Sequence, residues 1–82
     1  VKAPEVRRLA QAHDAAALAA ARDAMLEGEP SPLPVDGDDE GEQLTHLMLA
    51  LRLRAAVDGG APMKDAFRDL MGSVRQVLTD AD

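Results

Sequence analysis

Ten of the fourteen positions from Leu44 to Val57 are apolar, and they fall into two stripes when stepped around a helix. At about 100° per residue, Leu44, Leu47, Met48, Leu51 and Ala55 share one face. His46, Leu49, Ala50, Leu53, Ala56 and Val57 form a second stripe on the other side, with Arg52 and Arg54 between. Gly59-Gly60 ends this run and Pro62 opens the next, the expected punctuation between two helices joined by a tight turn. In the second run Met63, Phe67, Leu70, Met71, Val74, Val77 and Leu78 lie within one sector, while Lys64, Asp65, Arg68, Asp69, Arg75 and Gln76 lie outside it. The pattern predicts a helical hairpin of residues 39–58 and 62–79. Its core should form where Leu44, Leu47, Met48 and Leu51 meet Phe67, Leu70, Met71 and Val74.

The amino-terminal part is also helical by pattern. Pro4 suits a first helical turn, and Val6, Leu9, Ala10 and His13 recur at helical spacing over residues 4–13. His13-Asp14 is a natural break, because the Asp14 carboxylate can cap a following helix over residues 14–27. One bent helix over both stretches is the alternative. Residues 15–26 are dominated by alanine, with Leu18, Met25 and Leu26 as the large side chains. Residues 28–38 then carry Pro30, Pro32 and Pro34 among acids, and predict a solvated, loosely packed connection that Leu33 and Val35 pin to the body.

Composition narrows the class to a single all-α domain, a small bundle of three to four helices. Of 82 residues, 16 are alanine, 22 are larger apolar side chains and only Phe67 is aromatic. A core this thin is marginal alone, and without cysteine it has no disulfide to reinforce it, which leaves self-association as a natural support. The net charge of −6 repels phosphate backbones and anionic lipid, so neither nucleic acid nor a membrane surface is an expected partner. No run approaches the roughly 20 apolar residues of a membrane span. The opening Val1-Lys2-Ala3-Pro4-Glu5 lacks a secretory apolar core, and a cytoplasmic setting is the expectation.

Candidate chemistry is sparse. Asp36, Asp38, Glu40 and Gly41 match four positions of a calcium-binding helix-loop-helix, but the position that demands a bidentate glutamate is Leu47. The acids read instead as helix capping and solvation. Glu42 and His46 lie four apart on one face and offer two ligands of a metal-dependent sensor or enzyme; no further inward carboxylate completes the set. Ser31 and Ser73 have no neighbouring base. No catalytic residue, metal or cofactor is expected.

The run from Gly41-Glu42-Gln43-Leu44 through Gly60-Ala61-Pro62-Met63-Lys64-Asp65-Ala66 to Met71 and Val74 resembles a family of short, all-helical bacterial proteins of unknown function. The shared pattern is a Gly-Glu pair opening a long helix, then Gly-x-Pro-x-Lys-x-Ala opening the last one. Gly41, Glu42, Gly60, Pro62, Lys64 and Ala66 match it, and Pro4-Glu5-Val6 and the acidic connection are similar too. The chain departs from the pattern at His46, where relatives carry an amide, and in its alanine-rich second helix. The resemblance implies no known activity. It does imply a thiol-redox protein as a conceivable partner, which a chain without cysteine would bind rather than exchange with.

These observations lead us to expect a non-catalytic interaction module that forms a homodimer. The expected interface is the second stripe, His46, Leu49, Ala50, Leu53 and Val57, at the i, i+3, i+4, i+7 spacing of a packing seam. Cover from Leu18 and Met25 would instead make that seam internal. The alternatives are an adaptor for another cytoplasmic protein and the Glu42/His46 metal reading.

Overall fold

The computed structural model describes residues 1–80, with the side chains of residues 1–75. Four helices follow one another and pack as a compact bundle: α1 (Ala3–Ala12), α2 (Ala15–Leu26), α3 (Glu40–Asp58) and α4 (Met63–Asp80). No strand occurs among the described residues. The first 27 residues form two helices rather than one. His13 is extended, with φ −133° and ψ 151°, and the Asp14 carboxylate accepts the Ala17 N–H at 2.8 Å. Asp39 caps α3 in the same way through the Glu42 N–H, also at 2.8 Å. Each cap occupies one donor that a helix start leaves open.

The two helix ends with glycine share one geometry. Gly28 and Gly60 take φ of +88° and +111°, a region that costs a side chain dearly and glycine little. Past α2, Glu29 N–H reaches Ala24 C=O and Gly28 N–H reaches Met25 C=O. Past α3, Ala61 N–H reaches Ala56 C=O and Gly60 N–H reaches Val57 C=O. Both are Schellman closures, and they turn the chain sharply after each helix.

Helix α3 is the centre of the bundle, flanked by α1, α2 and α4. Its fully buried residues are His46, Leu47, Ala50 and Leu53, with Leu49 close behind. Val6, Leu9 and Ala10 of α1 and Leu18 and Ala21 of α2 are the other side of that core, all without exposed surface. This corrects the expected face. The stripe assigned to a subunit interface is the interior of one chain, whereas on the face expected to form the core only Leu47 is fully buried: Met48 is 48% exposed, Leu44 and Leu51 are half-buried and Ala55 is exposed. Helix α4 meets the flank of α3 carrying Leu53 and Ala56, using Ala66 and Leu70, not the Leu44-Met48-Leu51 face. Phe67, Met71 and Val74 are only half-buried, and Leu26 of α2, expected as a contact, is 63% exposed. The side chains of Val77 and Leu78, the end of the expected α4 stripe, lie outside the described residues.

The proline-rich connection is also held more closely than its composition suggests. Leu33 and Val35 pack against the core, as expected. Backbone groups then tie it down: Pro34 C=O accepts from Arg8 Nη2 at 2.9 Å and Gly37 C=O accepts from Gln43 Nε2 at 3.3 Å. The carboxylates of Asp36, Asp38 and Glu40 remain on exposed residues, so the segment is solvated on one side and fastened on the other.

This arrangement orders two substitutions. Leu53→Ala empties a fully enclosed site and should cost about 2–5 kcal/mol. Phe67→Ala, at a half-buried position, should cost clearly less despite the larger side chain. Urea denaturation of both proteins gives the comparison, and the reverse order would move the principal core from α1–α2–α3 to α4.

Candidate functional site

Among the described residues two polar side chains lie inside the bundle, and both face the same junction. His46 has no exposed surface and Glu5 only 6%. The His46 ring sits between two backbone groups: Nε2 accepts the Lys2 N–H at 2.9 Å, and Nδ1 is 2.7 Å from the Asp36 carbonyl oxygen. An N–H donor at Nε2 and a carbonyl at Nδ1 require the neutral ring with its proton on Nδ1. Glu5 completes the junction from α1. Its carboxylate takes Arg8 Nε at 2.6 Å and Nη2 at 2.7 Å, a two-pronged pair, and also the Asp36 N–H at 2.7 Å. The backbone of Asp36 is therefore gripped on both sides, its N–H by α1 and its C=O by α3. Among the described residues, no buried side-chain nitrogen or oxygen lacks a hydrogen-bond partner.

The electrostatics follow from these bonds. The Arg8 guanidinium, bonded to Glu5, holds that carboxyl below the ordinary glutamate range, with a further contribution from the Asp36 N–H against the opposing effect of burial. Lys2 Nζ lies 3.4 Å from Asp36 and 3.7 Å from Asp38, and the Asp36 hydrogen bond raises its ammonium pKa. At the far end of α1, Arg54 Nη1 donates to Ala10 C=O at 2.9 Å. That places a cation against the carbonyl end of the helix, where it interacts favourably with the helix dipole.

The geometry does not favour the metal readings. Glu42 Oε1 lies 3.8 Å from His46 Nε2, but that nitrogen's lone pair already faces the Lys2 N–H. Among the described residues no three His, Asp or Glu side chains converge as a metal site. The expected interface residues His46, Leu49, Ala50 and Leu53 are enclosed within the chain, and Val57 is half-buried against the same core. The exposed apolar surface lies elsewhere. One strip is Leu44, Met48, Leu51 and Ala55 on the outer face of α3; another is Phe67, Met71 and Val74 of α4, beside Val1 and Ala3. No described helix is long and apolar enough to cross a membrane.

Residues 1–79 match the family of unknown function designated DUF6952. The chain belongs to this family. The match covers nearly its whole length and all four helices. No curated protein and no solved structure matches it.

Sequence reasoning identified His46 but not its partners. Lys2, Glu5, Arg8 and Asp36 are distant in sequence from His46 and follow no helical stripe that includes it. The available signal was Glu5, a carboxylate one position before the apolar stripe of α1 with Arg8 three residues on, the spacing of a helix ion pair. An amide at position 46 would supply the same donor and acceptor as the neutral imidazole.

Two measurements test the junction. His46→Gln should retain most of the stability, whereas His46→Leu strands both backbone partners and should cost about 1–3 kcal/mol; equal losses would show that packing alone matters. For Glu5, a depressed folded pKa means stability present above its ordinary value and lost as pH falls through the folded one. Glu5→Gln should therefore lower stability at pH 7 and narrow its gap to the wild type as urea titrations move from pH 5 towards pH 2. A pH-independent gap would sever Glu5 from that linkage.

Proposed function

We propose that this protein is a non-catalytic cytoplasmic interaction module that self-associates through the outer face of α3. The observation that carries the reading is the partly exposed strip Leu44, Met48, Leu51 and Ala55, with Met48 and Ala55 exposed and the two leucines half-buried. Its spacing of four, three and four residues is that of a coiled-coil seam. The strip is also self-complementary: in an antiparallel pair related by a two-fold axis near residues 49 and 50, Leu44 opposes Ala55 of the copy and Met48 opposes Leu51. Large meets small at the ends, and two flexible or branched side chains meet in the middle. This replaces the enclosed seam with a surface that a second copy can reach.

The energetics point to a modest dimer. Fully burying a Met or Leu side chain is worth about 1.5–3 kcal/mol, and these are already part-covered. Four central side chains per dimer offset only the lower range of association costs, so assembly should depend strongly on concentration. Light scattering from micromolar to millimolar protein should show a monomer–dimer equilibrium. Met48→Glu, at an exposed position, should give a folded monomer with unchanged circular dichroism. A dimer that persists in Met48→Glu would move the interface off this strip, and a wild type monomeric throughout would remove self-association.

A further inference from the structure

The amino-terminal segment and α4 enclose an open groove of ≈ 540 Å³, separate from the outer face of α3. Its floor is apolar: Phe67, Met71 and Val74 recur at i, i+4 and i+7 along α4, with Val1 and Ala3 opposite. Arg68 and Arg75 line the same groove, and among the described residues no carboxylate does. Lys64 falls on the same edge of the helix, four residues before Arg68. Arg7 of α1 lies over the Phe67 ring, 5.6 Å from its centroid, at the neighbouring end. The described acids of α4, Asp65 and Asp69, lie away from the floor. Asp69 borders the α3 side, and Asp65 pairs with Arg68 at 3.1 Å in an exposed contact of little net worth.

That segregation is unexpected in a chain of net charge −6. Four of its nine bases border one apolar trough, while seven of its fifteen acids lie between Glu27 and Glu42. We infer that this groove is a docking site for an acidic amphipathic helix of a partner protein. Leucine-type residues at helical spacing would lie on Phe67, Met71 and Val74, and flanking glutamates or aspartates would meet Arg7, Lys64 and Arg68. The cationic edge selects for carboxylates, and the chain's overall negative charge disfavours an acidic segment anywhere else on the surface. A groove this open offers a small molecule little enclosure, but it accommodates the side of a helix. The site is independent of self-association through α3.

The test uses the full chain and a fluorescein-labelled helical peptide with leucines at i, i+3, i+4 and i+7 flanked by glutamates. A control peptide carries lysine at every glutamate position. The acidic peptide should bind and shift the amide resonances of Ala3, Phe67, Met71 and Val74. Raising salt from 0.15 to 0.5 M should weaken binding several-fold. The double variant Arg7→Glu/Arg68→Glu, verified as folded by circular dichroism, should weaken it at least tenfold. Met71→Asp should do the same by spoiling the floor. No binding at millimolar peptide, equal binding of the lysine peptide, or shifts confined to the Leu44–Ala55 strip would overturn the inference. So would groove resonances that move with protein concentration in the absence of peptide, because the occupant would then be a second copy.

Discussion

Enclosing α3 is the constraint on which this fold depends. A helix that is apolar on nearly every side must be covered on several, and of the chain's 22 large apolar side chains seven are α3's own, which leaves 15 elsewhere. The solution is close approach by helices rich in small residues. Ala10, Ala21 and Ala50 are buried to the last square ångström, so α1 and α2 can bring their backbones near α3 and use Val6, Leu9 and Leu18 as the few large inserts. Helix α4 takes the remaining flank with Ala66 and Leu70. Three neighbours occupy three sides, and among the described residues the fourth side of α3 stays partly exposed.

The second constraint is polar and joins parts of the chain that apolar contacts alone would leave loose. A connection with three prolines offers few regular hydrogen bonds of its own. Here Asp36 is held by its backbone, its N–H on Glu5 and its C=O on His46, while Lys2 N–H meets the opposite nitrogen of the same ring. Start, connection and central helix are thereby fixed to one another through a buried carboxylate and a buried imidazole. Such groups are costly in a core unless every donor and acceptor is matched, and the matching here is complete. The cost sets position: a one-residue slip of the connection would leave Glu5 and His46 unmatched together.

Much of the architecture was legible in the sequence because local chemistry dictates it. Asp14 and Asp39 cap, Gly28 and Gly60 close, Pro4 and Pro62 sit at helix starts, and the helix boundaries follow within a residue or two. The apolar stripe of α1, Val6, Leu9 and Ala10, is buried as its spacing indicates. The choice of face on α3 was not legible. Both stripes carry leucines, and periodicity shows that a face is apolar without showing which neighbour reaches it first. Weight given to the large side chains of α4 pointed to the Leu44-Met48-Leu51 face. The alanine helices prevailed because small residues permit two close neighbours where large ones permit a single distant one. The polar junction was illegible for a different reason: its bonds run to backbone atoms at sequence separations of 10, 31 and 44 residues, and no side-chain pattern encodes them.

The same allocation explains why the two exposed apolar strips differ in kind. The α3 strip is the outer face of the best-anchored helix, a rigid surface whose shape is set by the core behind it. The α4 strip belongs to a helix that packs chiefly on α3, so less of its stability comes from within the bundle. Phe67, Met71 and Val74 remain half-covered, with Arg7 laid across the aromatic ring. Any partner that fills that trough adds burial where the fold has least of it, and so stabilises the docked helix as well as the complex. A strip backed by the core gains affinity from its own contacts, whereas a helix covered chiefly on one side also gains burial of its own when a partner docks. In a chain with so little core to spare, that linkage makes α4, rather than α3, the element whose stability responds most to an occupant.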